Sequence, residues 1–415
     1  MARLRVLVCG GGCAGPALAF WLSRAGHQVI VVERFPGIRT GGAQIDLREQ
    51  GIEVARRMGL LETIRSKTVD EQGMAFGDEK GNVIGTMMAN TSGQGAQVAV
   101  SEWEIMRGDF VRMMYDETKE DVEYVFGKHV VRHEQKERSV VVHFSDGSHD
   151  EFDILVGADG QGSRIRKAIL PEGAPEPYRH LGGLYISYFF VSHEETDTKI
   201  SQAFVTAGGR MVWRRTHSPT ESQVICILRD DDPELASMPR ASIETQKKIW
   251  HEKFKDVGGV MDSYLEGLAQ TEDFYCQEIV QVQTDTWHKG RVVLLGDAAF
   301  CPSPFAGFGL SSSLIGAYVL AGELNKHSDE PEVALANYET ILQPVMKRIQ
   351  DGVSRVAIGL ALPKSSWGVG LLRFLARLMF FFRIDKLAAM FAGEERAGWT
   401  VPDYPELTNG RERLG

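Results

Sequence analysis

The 415-residue chain has few cysteines, and their number and spacing argue against a disulfide scaffold. There are five, an odd number spread along the chain, whereas small secreted domains that depend on disulfides are rich in cysteine. Cys9 and Cys13 lie close together, but no second Cys/His pair with ligand spacing accompanies them, so we expect no metal centre. No secretory signal segment precedes the first predicted strand, and we therefore expect a reduced, cytoplasmic setting.

The sequence also lacks an excess of positive charge. Lys and Arg together number 46 against 56 Asp and Glu, so the formal net charge is −10 and the pI is about 5.6. Proteins that bind nucleic acid usually carry a basic patch or stripe, and no basic, aromatic-rich face is evident here. We therefore expect no nucleic-acid partner.

What the sequence does contain at its start is a nucleotide-binding pattern. An apolar run at residues 5–9 predicts a buried strand, which leads into a glycine-rich turn at 10–15 and a helical stretch at 16–25. A second apolar strand, at 28–33, ends in Glu33. This order of strand, GxGxxG turn, helix, strand and acid is typical of a dinucleotide-binding unit.

Each glycine of this pattern has its own physical role. Gly10 permits the tight turn, Gly12 lets the backbone approach a pyrophosphate, and Gly15 allows close packing of the helix on the strand. Amides at the helix N-terminus favour phosphate, and Glu33 is expected to accept hydrogen bonds from an adenosine ribose. The alternative is a glycine-rich turn that holds no ligand.

A second signature lies far along the chain. A short apolar strand at 291–295 leads into Gly296-Asp297, and the run from Pro304 to Gly309 follows. Two signatures so far apart indicate one long ligand, held by a fold that returns to its first domain. FAD, with an adenosine end and a flavin end, fits this description, whereas NAD alone would suit a chain that ended after the first pattern.

Between the two signatures the strands become amphipathic. Segments such as 184–191 and 223–228 read as amphipathic strands. We predict an α/β fold in which a Rossmann-like FAD-binding domain carries an inserted, mostly antiparallel β-sheet substrate domain and a C-terminal helical segment. The predicted boundaries are 1–75, 97–173 and 285–345 for the FAD-binding domain, 76–96 and 174–284 for the substrate-binding domain, and 346–415 for the helical segment and tail.

Together with Asp159-Gly160, the glycine-rich turn and Gly296-Asp297 resemble the motifs of the class A flavoprotein monooxygenases, the group that contains para-hydroxybenzoate hydroxylase. The likeness covers residues 1–345, and Gly41-Gly42 and Arg107-Gly108-Asp109 look similar to the tetracycline-inactivating monooxygenases in particular. The resemblance implies FAD as cofactor and NADPH or NADH as reductant. It also implies that one oxygen atom from O2 is inserted into an aromatic or polyketide-like molecule through a flavin C4a-hydroperoxide.

The resemblance further implies which residues meet the ligands. Arg39 is expected to meet the nicotinamide nucleotide, and Arg210 is expected to lie beside flavin and substrate as the catalytic side chain. Phe305 and Phe308 either line the substrate face of the flavin or belong to the core. The residues expected to contact FAD are Gly10, Gly12, Gly15, Glu33, Arg34, Asp46, Arg107, Asp159, Gly160, Asp297, Pro304, Gly307, Gly309, Leu310 and Ser311.

Three positions depart from the family pattern. Phe300 stands where the family usually has His, Ser311 where it has Asn, and Gly316 where it has Asp. These changes concern the anchoring and movement of the flavin, and they keep open the alternative of a flavin-binding protein without turnover. A second alternative is an FAD-dependent dehydrogenase or oxidase that inserts no oxygen.

Further side chains have both a chemical and a structural interpretation. His217, Tyr185 and Tyr188 either help to activate a phenol or enol, or simply support the fold. A halogenase is not expected, because the chain has no Trp-x-Trp-x-Ile-Pro motif. We expect a monomer or a dimer.

The most apolar stretch, residues 368–389, is expected to be helical but not to span a membrane. Arg373, Arg377 and Arg383 interrupt it well short of a spanning length. Two interpretations stay open. The helix either packs over the two domains and helps to cover the substrate pocket, or lies in a membrane interface and gives the enzyme access to a lipophilic substrate.

Overall fold

The computed structural model of the protein describes residues 2–89, 102–383 and 399–408. Its strands are β1 (Arg5–Cys9), β2 (Gln28–Glu33), β3 (Gln44–Asp46), β4 (Gly73–Gly77), β5 (Val83–Met88), β6 (Glu104–Met106), β7 (Glu123–Phe126), β8 (Val130–Gln135), β9 (Val140–Phe144), β10 (His149–Phe152), β11 (Ile154–Gly157), β12 (Tyr178–Ser192), β13 (Ile200–Thr206), β14 (Arg210–Thr216), β15 (Glu221–Arg229), β16 (Phe274–Val282), β17 (His288–Lys289) and β18 (Val292–Leu294). Its helices are α1 (Ala14–Arg24), α2 (Gln50–Met58), α3 (Leu61–Arg65), α4 (Arg107–Asp116), α5 (Arg164–Ile169), α6 (Pro233–Ser237), α7 (Ile243–Phe254), α8 (Val260–Gln270), α9 (Asp297–Phe300), α10 (Gly309–Lys326), α11 (Pro331–Asp351), α12 (Arg355–Ala361) and α13 (Ser366–Phe381). Shorter helical turns lie at Met238–Arg240, Pro304–Ala306 and Pro405–Thr408.

A mixed sheet with the strand order β17-β18-β11-β1-β2-β7 forms the centre of the first domain. All neighbours in it run parallel except β17 and β18. β1 and β2 are almost entirely apolar because a parallel sheet is covered on both faces. Helix α1 also packs against α10, where the rings of Trp21 and Tyr318 meet at 5.1 Å between centroids. The segment that carries the second signature therefore packs in the first domain, as predicted.

A second sheet, in the order β16-β12-β15-β14-β13-β4-β5, is antiparallel except where β13 and β4 run side by side in parallel. Successive side chains point to opposite faces of such strands. One face packs under α7 and α8, with Val212 against Phe254 in its core. The opposite face carries Ile225 and packs with Ile358 of α12.

This second sheet takes its strands from residues 73–88 and 178–282. The distribution agrees with an insertion in the first domain, although the exact domain boundaries stay predictions. Residues 90–96 of the predicted substrate segment and 97–101 of the predicted FAD-binding segment lie outside the described residues.

Two smaller sheets connect the main ones. β10, β9 and β8 form an antiparallel meander, and Gly147 in the β9–β10 turn has a φ of +83°. β3 pairs antiparallel with β6 and places Asp46 opposite Glu104. This short ladder brings residue 104 next to a predicted cofactor residue.

Helix α13 follows α12 and packs beside β5 and β13. Phe380 lies against Gly85, where no larger residue would fit, and its ring centroid is 6.0 Å from that of Phe76. Residues 384–389 of the predicted 368–389 helix lie outside the described residues. Within the described part of the chain, no helix has both the length and the apolarity needed to cross a bilayer.

Candidate active site

The predicted cofactor motifs follow neighbouring strands at one edge of the central sheet. β18, β11, β1 and β2 are adjacent and parallel, so their carboxyl ends lie side by side. In that order these ends lead into Gly296-Asp297, Asp159-Gly160, the glycine-rich turn and Glu33. Ligands of open α/β sheets bind outside the carboxyl ends of the strands. The four motifs thus form one line along the edge, as a long ligand requires.

Packing explains two glycines of the turn and leaves space beside a third. Gly10 has a φ of +120°, and a Cβ on it would overlap the carbonyl oxygen of Ala158, while a Cβ on Gly15 would overlap the carbonyl oxygen of Gly10. Beyond its chain neighbours, the one described atom within 4 Å of a Cβ on Gly12 would be Nη2 of Arg107, at 3.7 Å. This space lies at the start of α1, whose first turn has no acidic residue, and it suits a pyrophosphate.

Backbone amides orient the carboxylate of Glu33 at the end of β2. Oε2 accepts a hydrogen bond from the Gly11 amide at 2.8 Å, and Oε1 accepts one from the Phe35 amide at 3.0 Å. Arg34 and Arg39 both lie near the ring of Phe35, with guanidinium carbons 5.0 and 5.2 Å from its centroid. The adenosine end of the site thus combines a fixed carboxylate with two cations.

Arg107, the first residue of α4, fixes the loop between Arg39 and β3. Its Nη1 donates to the carbonyl oxygens of Arg39 and Gly41, both at 3.1 Å. Gly42 has a φ of +131°, and a Cβ there would lie 3.1 Å from Arg107 Cδ. The loop can approach the arginine this closely only with glycine in that place.

Asp159 faces the start of α5. Its Oδ1 accepts a hydrogen bond from Ser163 Oγ at 2.5 Å, and its Oδ2 accepts one from the Arg164 amide at 2.7 Å. Gly160 has a φ of +80° and supplies the turn between them. The carboxylate therefore shapes this loop, and its expected contact with FAD stays a prediction.

Asp46 is linked through Arg48 to the loop that precedes α10. Arg48 Nη2 donates to Asp46 Oδ2 at 2.6 Å, and the Arg48 amide donates to Ser311 Oγ at 2.7 Å. A Cβ on Gly307 would lie 3.0 Å from the guanidinium carbon of Arg48. The structure thus brings the predicted residues 46, 307 and 311 together.

Asp297 starts α9 and is half-buried. Desolvation by the surrounding protein raises the pKa of its carboxyl, while a hydrogen bond with Cys301 and the charge of Arg107 oppose this shift. The neutral form is consequently more accessible here than for an exposed aspartate. A half-buried acid at this position is suited to hydrogen bonding with a ribityl chain.

The loop from Pro304 to Gly309 exposes one aromatic ring and buries the other. Phe305 is 40% exposed, whereas Phe308 is 4% exposed, which gives Phe308 a core position. Leu310 is also buried, but the amides of the first turn of α10 have no partner within the helix. No described atom outside the chain neighbours lies within 4 Å of a Cβ on Gly309. Open space therefore faces the N-terminus of α10.

The structure does not place Arg210 beside these residues, contrary to expectation. Its guanidinium donates to the carbonyl oxygen of Lys253 at 2.8 Å and to the Oδ1 of Asp256 at 2.5 Å, at the end of α7. Residue 210 belongs to the face of β14 that α7 and α8 cover, together with Val212. Arg210 therefore ties the sheet to a helix, and we do not carry it forward as a catalytic residue.

Another arginine of β14, Arg215, reaches the first domain. It lies five positions after Arg210 in β14, an odd offset, so the period of two puts it on the opposite face, with Trp213. Its Nη1 donates to Glu104 Oε1 at 2.6 Å and also to Gln44 Oε1. Counting alternate residues along β14 from the apolar Val212 puts Arg215 and Arg210 on opposite faces, but the face that meets the first domain is set by the packing of α7 and α8.

The three side chains considered for phenol activation are separated in the structure. Tyr185 belongs to the helix-covered core, and burial raises its pKa to about 12. Tyr188 is on the opposite face, where its ring stacks on that of Tyr275 with centroids 6.3 Å apart. His217 is exposed, and its ring lies 4.9 Å from that of Phe190. Tyr188 lies on the face directed toward the first domain, and His217 lines a cleft beside Gly41 and Gly42.

A separate polar cleft of about 770 Å³ lies between the loop at 40–42 and the outer end of the second sheet. Its walls carry the carboxylates of Asp109, Glu221, Glu272 and Asp273. Their negative charge disfavours a polyanionic ligand in this cleft.

The arrangement along the sheet edge fits FAD on three grounds. Open space faces Gly12 and Gly309, a fixed carboxylate stands at the adenosine end, and two helix N-termini face the line of motifs. Helix N-termini favour phosphates and other negative groups. The roles of the individual side chains stay predictions.

Comparisons with known proteins agree with this geometry. Residues 3–353 match the family model described as FAD binding domain. The FAD-dependent monooxygenase asL4 of Sarocladium schorii is 37% identical over 427 residues, which cover 98% of this chain and 99% of that protein. The crystal structure of the tetracycline destructase Tet(51) has a TM-score of 0.77 and 27% identity, with coverage of 97% of this chain and 100% of that chain.

A further solved structure supports the fold alone. Klebsiella pneumoniae HpxO, complexed with FAD and uric acid, superposes with a TM-score of 0.72 at 21% identity and covers 95% of this chain and 98% of that chain. The resemblance stated from the motifs is confirmed, and these relatives do not favour a flavoprotein without oxygen insertion or turnover. The chain belongs to the family of FAD-dependent monooxygenases, with FAD as its cofactor.

Proposed function

We propose that this monooxygenase acts on an aromatic or polyketide-like small molecule held between the second sheet and the loop at Pro304–Ala306. The sheet face directed away from α7 and α8 carries Tyr188, Met211 and Trp213, and Ala306 packs against the same cluster. Large flat substrates gain much of their binding energy from such apolar and aromatic walls. Phe305, next to Ala306 in this loop and 40% exposed, offers a further aromatic ring.

The observation that carries this proposal is the meeting of that face with the cofactor line. Arg215 of the second sheet contacts Gln44 of β3, and β3 ends in Asp46, a predicted FAD contact. FAD bound along the sheet edge would supply the redox chemistry by which reduced nicotinamide and O2 provide one oxygen atom to the substrate. The protein would bind and orient both partners, exclude water, and offer the α10 amides to negative charge on the cofactor.

The test is oxygen transfer measured with isotopic O2. The FAD-loaded enzyme is incubated under ¹⁸O2 with NADPH or NADH and a panel of phenolic and polyketide compounds, and the products are weighed by mass spectrometry. A product with one ¹⁸O atom from an aromatic or polyketide compound supports the proposal, and the two nicotinamides are ranked by the same assay. Label found only in products of aliphatic, non-aromatic control compounds would overturn the substrate class.

The position of the substrate is tested with Phe305→Ala. We expect KM for the best compound to rise by about tenfold with little change in kcat, because uniform binding is lost. Val131→Ala, on the exposed strand β8 with 63% of that side chain accessible, is the matched control. An unchanged KM in Phe305→Ala would place the substrate elsewhere.

We also propose that α12 and α13 make peripheral contact with an anionic membrane surface. Exposed apolar side chains lie along both helices; they are Val356, Leu360, Trp367, Leu371, Phe374, Leu375, Leu378 and Phe381. The chain from 344 to 383 contains seven basic residues and a single acidic one, Asp351, in a protein whose net charge is −10. Apolar area next to cations is the combination that binds anionic lipid.

Vesicle flotation distinguishes this contact from simple packing over the domains. Flotation with phosphatidylglycerol-containing vesicles, weakened in Phe374→Ser and retained in Val131→Ser, supports the membrane contact. Absence of flotation with these vesicles would leave α13 as a packing element only. The predicted monomer or dimer is measured in the same preparations by light scattering.

A further inference from the structure

Two neighbouring polar side chains of the second sheet reach into the first domain. Arg215 and Gln223 lie opposite each other in the β14–β15 register. Arg215 donates to Glu104 and to Gln44, while Gln223 Nε2 donates to the carbonyl oxygen of Gly42 at 3.2 Å. The second sheet is thus joined at two points to one short segment of the first domain, residues 42–44, which leads into β3.

The Arg215 contacts are almost fully removed from solvent. The side chains of Arg215, Glu71 and Glu104 are 4%, 6% and 8% exposed, and Arg215 Nε lies 3.4 Å from Glu71 Oε2. The indole of Trp213 covers the guanidinium, 3.9 Å from ring centroid to Cζ. In such a site, loss of one charged partner leaves the other buried and unpaired, so the geometry depends strongly on charge.

The network continues from Glu104 toward the flavin end of the site. Glu104 of β6 lies opposite Asp46 of β3, and Asp46 binds Arg48. The Arg48 amide holds Ser311, at the start of α10. A chain of contacts therefore runs from the substrate-facing sheet to the first turn of α10.

We propose that Arg215 is a positioning residue that sets the location of β3 against the substrate-facing sheet, and that protonation of Glu104 loosens this connection and alters the environment of bound FAD. The inference depends on FAD binding and on no particular substrate. We assign Arg215 no contact with the flavin or the substrate. It acts through Glu104 and Gln44.

Burial and the neighbouring charges set the pH range in which Glu104 titrates. Burial raises the pKa of Glu104 to about 7; the charge of Arg215 opposes this shift, the charges of Asp46 and Glu71 add to it, and Arg48 opposes it. These four groups come from β14, β3 and the two loops at 48 and 71. A change from pH 8 to pH 6 therefore neutralises Glu104 and removes the negative charge that faces the Arg215 guanidinium.

The experiment follows the visible absorption and fluorescence of bound FAD in the holoenzyme between pH 5.5 and 8.5, with no substrate present. We expect one spectral step near pH 7 in the unchanged protein and none in Glu104→Gln. Asp197→Asn is the matched control: Asp197 is 5% exposed and pairs with Arg214, the neighbour of Arg215, on the opposite face of β14. It should keep the step. A step that persists in Glu104→Gln, or is absent from the unchanged protein, overturns the proposal.

A second variant serves if Glu104→Gln does not retain FAD. Glu71→Gln removes a negative charge that raises the pKa of Glu104, so the step should move to lower pH by about half a unit or more. An unmoved step would assign the titration to another group. Because these readouts need no turnover, failure of the proposed substrate class leaves them unaffected.

Discussion

The ring of Phe300 occupies the space that a side chain on Gly316 would need. A Cβ on Gly316 would lie 2.9 Å from Phe300 Cζ and 3.0 Å from Leu295 Cδ1. Phe300 is 1% exposed, and its ring centroid is 4.8 Å from that of Trp287. Two departures from the family motif are therefore one complementary pair in the core.

We expect Gly316→Ala to destabilise the protein by about 1–3 kcal/mol, because the added methyl group overpacks a closed site. The free energy of unfolding is measured in urea. Gly370→Ala, in α13 with no atom near its Cβ position, is the control and should be neutral or gain up to about 1 kcal/mol from helix propensity.

Phe300→Leu should partly rescue Gly316→Ala, since a smaller side chain frees room for the methyl group. The double-mutant cycle should then show a coupling energy of about 0.5–3 kcal/mol. Strict additivity would contradict the complementary pair.

Gly12 and Gly15 should differ in what their substitution damages. A Cβ on Gly12 enters open space, so Gly12→Ala should leave the apo-protein folded but weaken FAD binding by about tenfold or more. A Cβ on Gly15 overlaps the backbone of Gly10, and Gly15→Ala should lower the melting temperature of the apo-protein as well.

Quenching of FAD fluorescence and thermal unfolding of the apo-protein separate these two effects. Gly37→Ala, in a loop position with no atom within 4 Å of its Cβ, should change neither. Unchanged FAD affinity in Gly12→Ala would show that the pyrophosphate does not bind at this turn.

Glu104 should make the protein less stable as the pH rises toward neutrality. Its pKa is raised by burial from 4.5 to about 7 in the folded state. A folded-state pKa above the unfolded one means that the stabilising contribution is full below about pH 4.5 and is lost as the pH rises through about 7. Urea unfolding at pH 5, 6, 7 and 8 should show this decline, and Glu104→Gln should flatten it.

The opposite sign is expected for Asp197. Burial raises the pKa of Asp197, but hydrogen bonds from Arg214, the Glu194 amide and Ser222 lower it by more, so the net shift is downward. Its contribution is present above the pKa of an ordinary aspartate and is lost as the pH falls. Asp197→Asn should therefore leave the decline above pH 5 in place.

Gln350 should stabilise the turn that precedes the flavin loop. Its Nε2 donates to the carbonyl oxygens of Val282 at 2.7 Å and Cys301 at 3.1 Å, and its backbone carbonyl oxygen accepts from Gln281 Nε2 at 2.9 Å. The next residues lead to Ser303, a non-glycine residue with a φ of +74°. Such a backbone conformation persists only when its surroundings hold it.

Gln350→Ala should cost about 1–3 kcal/mol of stability, because it removes the side-chain donor from the buried carbonyl groups of Val282 and Cys301. It should also speed the release of FAD, measured by the fluorescence of free flavin after dilution. Gln270→Ala, at the exposed end of α8, is the control. An unchanged release rate in Gln350→Ala would show that the turn at 301–303 is held by other contacts.

The sequence predicted the first domain well because its information is local. The order of strand, glycine-rich turn, helix, strand and Glu33 depends on residues that are close in the chain, and the structure has β1, α1 and β2 there. The alignment of Asp159 and Asp297 with this turn also followed from parallel strands ending at one edge.

The sequence could not tell which face of β14 would carry Arg210. Resemblance placed Arg210 at the flavin, but a shift of one residue along a strand moves a side chain to the other face. Arg210 meets Asp256 under α7, and Arg215 meets Glu104. The faces of β14 were defined only once α7 and α8 had covered one of them.

By itself, the sequence determined the α/β class, the FAD motifs and their order, because apolar strands and glycine turns are set by neighbours along the chain. Only the tertiary structure decided that Phe300 fills the space above Gly316 and that Arg215 joins β14 to β6. The first contact forms when α9 and α10 pack in the core of the first domain, and the second forms when the second sheet meets β3 and β6. Burial makes both of them energetically important, and it exists only in the packed protein.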